Sequence, residues 1–162
     1  MTTLVEAPVQ RRLQTVVPAS ALRLGIAARR ALAEAEQTRD VGERYAAAHL
    51  AALRAAAAVL AAEARPEGAR PTRRTRPTSV WTLLTRVAPE LGEWAAFFAA
   101  GADKRIAAQA GLRGAVTARE ADDLLRDASS FLELVAVRLG LPPRRQPMLP
   151  LAVYPANGEP AH

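Results

Sequence analysis

The chain has 162 residues, of which half are hydrophobic and 38 are Ala, and its net charge is +6. This length corresponds to one domain with room for tails. Because Cys is absent and one of the two His is the last residue, the composition excludes a disulfide scaffold, a cysteine nucleophile and a metal centre rich in Cys or His. We therefore predict no metal and no cofactor.

The first half of the chain carries two helical patterns. Leu22, Ile26 and Ala33 follow a helical spacing that predicts an amphipathic helix over about 19–37. Asp40, with Glu43 three residues later, predicts a capping box and a second helix that runs to about residue 64. The predicted apolar stripe of this second helix consists of Tyr45, His49, Ala52, Leu53, Ala56, Val59 and Leu60.

The second half follows a break rich in Pro and Arg over 65–78. A short helix is predicted from about residue 79 to 87, and Pro89 suits the first turn of the next helix. Gly101 either kinks that helix or divides it. Thr117 and Glu120 predict a second capping box, which starts a last helix that ends near residue 139.

These patterns predict an all-α fold, an antiparallel bundle of four main helices plus a short helix. The bundle occupies residues 19–140, with a mobile N-terminal arm over 1–18, a basic linker over 65–78 within the domain and a Pro-rich disordered tail over 141–162. No apolar run resembles a signal peptide or a spanning segment. We therefore expect a cytoplasmic protein that does not bind membranes.

The positive charge is concentrated in the basic linker. Five Arg and one Glu give residues 65–78 a net charge of +4, so most of the chain's surplus lies there. Arg70, Arg73, Arg74 and Arg76 are candidate contacts to nucleic-acid phosphates. Without aromatic residues between them, the same arginines also fit a solvated loop whose composition reflects Arg-rich codon usage.

His49 is the one internal His, and Arg44 precedes it by five residues. An imidazole that titrates near neutral pH can activate a 2′-hydroxyl, and an Arg beside it can stabilise the phosphate. On a helix, however, five positions place the two side chains about 140° apart. His49 therefore fits either a catalytic base or a partly buried residue at a helix interface.

Two further groups of residues have both a structural and a functional interpretation. The aromatic residues Trp81, Trp94, Phe97 and Phe98 predict the core, or an interface if one of them is exposed. The acidic residues Glu120, Asp122, Asp123 and Asp127 predict a solvated face near the start of the last helix, or a metal or partner site.

The order of these helices resembles a known family. The phrases APELGEWAAFFAAGA (residues 88–102) and AREADDLLRDASSFL (residues 118–132) look like an actinobacterial chromosomal group within the HEPN (higher eukaryotes and prokaryotes nucleotide-binding) superfamily, and the likeness covers roughly 20–141. The resemblance implies a small antiparallel helical bundle that often dimerises. It also implies one of two roles, a ribonuclease with Arg-x(4–6)-His on a later helix or a binding module that lacks this motif.

The last helix of this chain contains Arg119, Arg126 and Arg138 but no His. Arg44 and His49 match the ribonuclease motif but lie on the second helix. We therefore expect a non-catalytic HEPN-like module, a homodimer that binds a nucleic acid, a nucleotide or a protein. The alternatives are a metal-independent endoribonuclease that uses Arg44 and His49, and a purely structural protein–protein adaptor.

Overall fold

The structure is a computed structural model that describes residues 16–64 and 79–144. The basic linker over 65–78, and with it Arg70, Arg73, Arg74 and Arg76, lies outside the described residues. The same holds for most of the predicted N-terminal arm and of the predicted Pro-rich tail, of which residues 16–18 and 141–144 are described.

The described residues form an all-α bundle, as the sequence predicts. The helices in chain order are α1 (Ala19–Gln37), α2 (Val41–Glu63), α3 (Val80–Val87), a 3₁₀ turn (Pro89–Leu91), α4 (Gly92–Ala100), α5 (Ala102–Gln109) and α6 (Ala118–Arg138). Gly101 divides the predicted fourth helix into α4 and α5. A side chain at this position would place a Cβ 2.9 Å from the Tyr45 hydroxyl, so the absence of a side chain permits the close approach to α2.

Side-chain caps fix the starts of three helices. Thr117 and Glu120 form a complete capping box at α6, in which the Thr117 hydroxyl accepts from the Glu120 N–H and the Glu120 carboxylate accepts from the Thr117 N–H. Asp40 accepts from the Glu43 N–H at 2.8 Å and so makes one half of the predicted box. Ser79 caps α3 in the same way through the Thr82 N–H.

Helix α2 lies at the centre of the bundle and contacts α1, α3, α5 and α6. In chain order α1, α2, the α4–α5 pair and α6 alternate in direction. Arg54 of α2 donates to the Ala27 carbonyl of α1, and a Cβ at Gly42 would lie 3.4 Å from the Ala108 carbonyl of α5. Helix α6 runs beside α2 in the same direction. Two ion pairs show this: Arg44 pairs with Asp122 where both helices begin, and Glu63 pairs with Arg138 where both end.

The predicted helix over 19–37 is confirmed as α1, but the apolar residues that predicted it do not form its buried face. Ile26 is 50% exposed and Ala33 faces solvent. The residues that α1 buries are small with one exception, and they are Ala21, Gly25, Ala28, Ala31, Leu32 and Ala35. Small side chains let α1 approach the Ala-rich α2 closely, so that contact selects the alanine face over the face with larger apolar residues.

The described chain beyond α6 contacts α1 as far as Arg144. Gly140 adopts φ +62° and ends the helix, and Leu141 donates to the Ala136 carbonyl at 2.9 Å. Leu141 then packs against Gly25, and Arg144 forms an ion pair with Glu36 of α1 at 2.6 Å. The part of the predicted tail that is described thus contacts α1.

Helix α2 has the length and composition of a helix able to cross a membrane, the one such helix in the described part of the chain. In the bundle, 56% of the most apolar 18-residue stretch of α2 is buried. Its apolarity therefore serves the contacts with the surrounding helices.

Candidate functional site

His49 lies in the core of the bundle, where it is 1% exposed. The Phe98 carbonyl oxygen is 2.8 Å from His49 Nε2. Because a carbonyl oxygen only accepts, the ring proton is on Nε2. The imidazole also meets the rings of Trp81 and Phe98 edge to face, with centroids 5.9 and 6.0 Å away. These contacts and the low exposure enclose the His49 ring within the core.

Burial lowers the pKa of His49 below its ordinary value of 6.5, and the charge of Arg105 lowers it further, although the Phe98 hydrogen bond acts in the opposite direction. Within the described part of the chain, Nδ1 is buried without a hydrogen-bond partner. His49 is therefore neutral at pH 7, and its free nitrogen faces the core.

Arg44 lies away from His49 and has other partners. Its Nε donates to the Thr38 carbonyl at 3.2 Å, and its terminal nitrogens contact the Arg39 carbonyl and the Asp122 carboxylate. Arg44 thus joins the α1–α2 connection to α6. The structure does not bring the two residues of the Arg-x(4–6)-His match together.

The predicted aromatic group forms one cluster with Phe131 of α6, which sequence reasoning did not include among the site aromatics. Trp81 stacks on Phe98 with centroids 5.3 Å apart, and Phe98 lies 5.3 Å from Phe131. Trp81 and Phe98 are core residues, whereas Trp94 is half-buried. Phe97 is 46% exposed, so its ring presents part of its surface to solvent.

A cleft of about 440 Å³ opens beside the exposed Phe97, between α2, α4, α5 and the first half of α6. The acidic wall was predicted as a solvated face or as a metal or partner site. The sequence did not predict the cleft, because Tyr45, Phe97 and Lys104 come from three other helices. The lining residues are Tyr45, Phe97, Lys104, Glu120, Asp123, Leu124, Arg126 and Asp127.

Ion pairs order the charged wall of this cleft. Lys104 contacts Glu120, and Arg126 contacts Asp123. The Lys104 and Thr117 hydrogen bonds lower the pKa of Glu120 to about 2, so its carboxylate is charged at neutral pH. Burial raises the pKa of the Tyr45 phenol, which keeps that hydroxyl protonated.

No three His, Asp or Glu side chains within residues 16–64 and 79–144 form a group able to hold a metal ion. Asp122, the fourth residue of the predicted acidic face, pairs with Arg44. The four residues of the predicted acidic face therefore contribute to ion pairs, to the α6 cap and to the cleft wall.

The described residues define a small all-α bundle domain. Residues 35–136 match the SAV_6107-like HEPN family, and the chain belongs to this family. Membership of a HEPN family indicates a nucleotide-binding or ribonuclease-like module. No curated protein and no solved structure matches the chain.

Proposed function

We propose that this HEPN domain is a non-catalytic module that binds single-stranded RNA through its basic linker. The burial of His49 is the observation that supports a non-catalytic role. A general base must come within hydrogen-bond reach of the proton that it removes. His49 is 1% exposed and its Nε2–H is engaged by Phe98, so the imidazole has no access to a 2′-hydroxyl.

The charge distribution supports the RNA-binding part. The described residues carry 14 Lys and Arg against 13 Asp and Glu, a net charge of +1. Residues 65–78 carry +4. A nearly neutral bundle offers little general attraction to a polyanion, so we assign the main electrostatic attraction to the linker, with Arg70, Arg73, Arg74 and Arg76.

The test is the salt dependence of binding to a labelled single-stranded RNA, measured by fluorescence anisotropy. Replacing the four linker arginines by Ser is expected to weaken binding and to reduce the slope of log K against log salt by up to about 3, because each phosphate contact to a single strand contributes about 0.7. The same RNA is expected to remain intact after incubation.

The matched control removes the same charge from the bundle. Arg23, Arg30, Arg39 and Arg113 are exposed, and no ion pair involves them among the described residues. Their replacement by Ser is expected to leave the salt slope within about 1 of the wild type. Equal losses in the two variants would show that net charge, and not the linker, attracts RNA. Binding that does not change with salt in the wild type would contradict the proposal altogether.

A further inference from the structure

The cleft beside Phe97 combines three features that together select a cation. The first is its charge. The lining contains three carboxylates, from Glu120, Asp123 and Asp127, and two cations, from Lys104 and Arg126. Its net charge is therefore −1, in a chain whose net charge is +6. Both cations are already paired, Lys104 with Glu120 and Arg126 with Asp123. In the described structure Asp127 forms no ion pair, so its carboxylate is available to a ligand.

The second feature is the hydroxyl of Tyr45. This residue is 6% exposed and lines the cleft from α2. Over the described residues its hydroxyl makes no hydrogen bond, although it is not among the fully buried polar atoms. A ligand N–H that donates to this oxygen would satisfy a polar group that the bundle leaves open.

The third feature is the ring of Phe97. Two neighbouring rings meet it edge to face, Phe98 with a centroid distance of 5.1 Å and Trp94 with 6.4 Å. The ring is therefore held in one orientation while 46% of the residue stays exposed. A fixed aromatic surface and a free carboxylate in the same cleft can bind a planar cation by stacking and charge.

We propose that this cleft binds a guanidinium group, the arginine side chain of a peptide ligand, with Asp127 as its carboxylate partner, Phe97 as its stacking surface and Tyr45 as a hydrogen-bond acceptor. A guanidinium supplies five N–H donors in a plane, enough for both oxygen acceptors, and an ammonium group lacks the planar surface. The volume of about 440 Å³ accommodates the whole arginine side chain. This site is independent of the RNA-binding proposal.

The test is an NMR titration of the full chain with N-acetyl-arginine amide, followed through backbone amide shifts. N-acetyl-citrulline amide has nearly the same shape without the charge and is expected to bind at least about tenfold more weakly, a difference of about 1.4 kcal/mol. N-acetyl-lysine amide is expected to lie between the two. The shifted amides are expected to belong to α4, α5, the first half of α6 and the part of α2 around Tyr45.

Conservative variants connect the affinity to the three features. Asp127→Asn is expected to weaken arginine binding about tenfold, and Phe97→Leu and Tyr45→Phe about threefold each. Glu133→Gln, an exposed carboxylate on the same helix, is the matched control and is expected to bind as the wild type does. Equal binding of arginine and citrulline, or unchanged affinity in Asp127→Asn, would overturn the proposal.

Discussion

His49 is the residue on which the functional interpretation depends. The helical period of α2 places it in line with Tyr45, Ala52, Ala56 and Val59, all of which are buried in the structure. The sequence left two interpretations open, because a stripe that includes a His fits a core or a cleft equally well. The hydrogen bond from His49 to the carbonyl of Phe98, 49 residues away, shows that His49 lies in the core. No local sequence pattern predicts a contact at that separation.

The burial of His49 predicts a dependence of stability on pH. Above pH 6.5 the residue is neutral in both the folded and the unfolded chain. Below that value the unfolded chain takes up a proton that the folded protein, with its lowered pKa, does not, so stability falls as the pH falls. We expect urea unfolding followed by circular dichroism to show a loss of about 1 kcal/mol between pH 7.5 and 5.5.

His49→Gln is expected to remove this loss, since Gln keeps an N–H donor for Phe98 and does not titrate. His162→Gln serves as the control and is expected to retain the loss in full. The range between pH 7.5 and 5.5 avoids Glu120, whose lowered pKa affects stability only below about pH 4.5. A His49→Gln protein with the wild-type pH dependence would exclude His49 as its source.

For the helices, the sequence predicted the first and last residues of α2 and α6 well, but it did not predict which face of α1 is buried. Capping residues and glycines mark where α2 and α6 begin and where α6 ends, and the structure agrees at each point. The face of α1 was wrong because the sequence signal came from Leu22 and Ile26, whereas close contact between helices favours small side chains. In an Ala-rich chain, the larger apolar residues do not identify the buried face.

Gly101, at the junction of α4 and α5, tests whether close packing against α2 requires a residue without a side chain. In Gly101→Ala the new Cβ would lie 2.9 Å from the Tyr45 hydroxyl, and we expect unfolding free energy to fall by about 1–2 kcal/mol. Tyr45→Phe removes that hydroxyl, so the cost of Gly101→Ala is expected to be smaller in the double variant.

Gly92→Ala is the matched control, since its Cβ would lie 3.7 Å from the nearest side-chain atom, on Thr85. We expect it to be neutral or to stabilise the helix by up to about 1 kcal/mol. A Gly101→Ala protein as stable as Gly92→Ala would show that the junction tolerates a side chain.

At the scale of the whole molecule, the sequence predicted the bundle and the family but not the cleft. Helix order, caps and breaks are local signals, and they sufficed for the architecture and for the HEPN resemblance. The cleft needs Tyr45, Phe97 and Asp127 from three helices, and their proximity arises from packing. The concentration of positive charge outside the bundle was, by contrast, directly visible in the sequence.

The central claim is that this HEPN domain binds RNA without cutting it. The most direct measurement is the cleavage of end-labelled single-stranded RNA by excess protein between pH 5.5 and 8.5 with EDTA present, analysed on a denaturing gel. We expect intact RNA and no difference between the wild type and His49→Gln. If the wild type cleaved the RNA and His49→Gln did not, with unchanged circular dichroism and unfolding at pH 7.5, His49 would be a catalytic residue and the domain a ribonuclease.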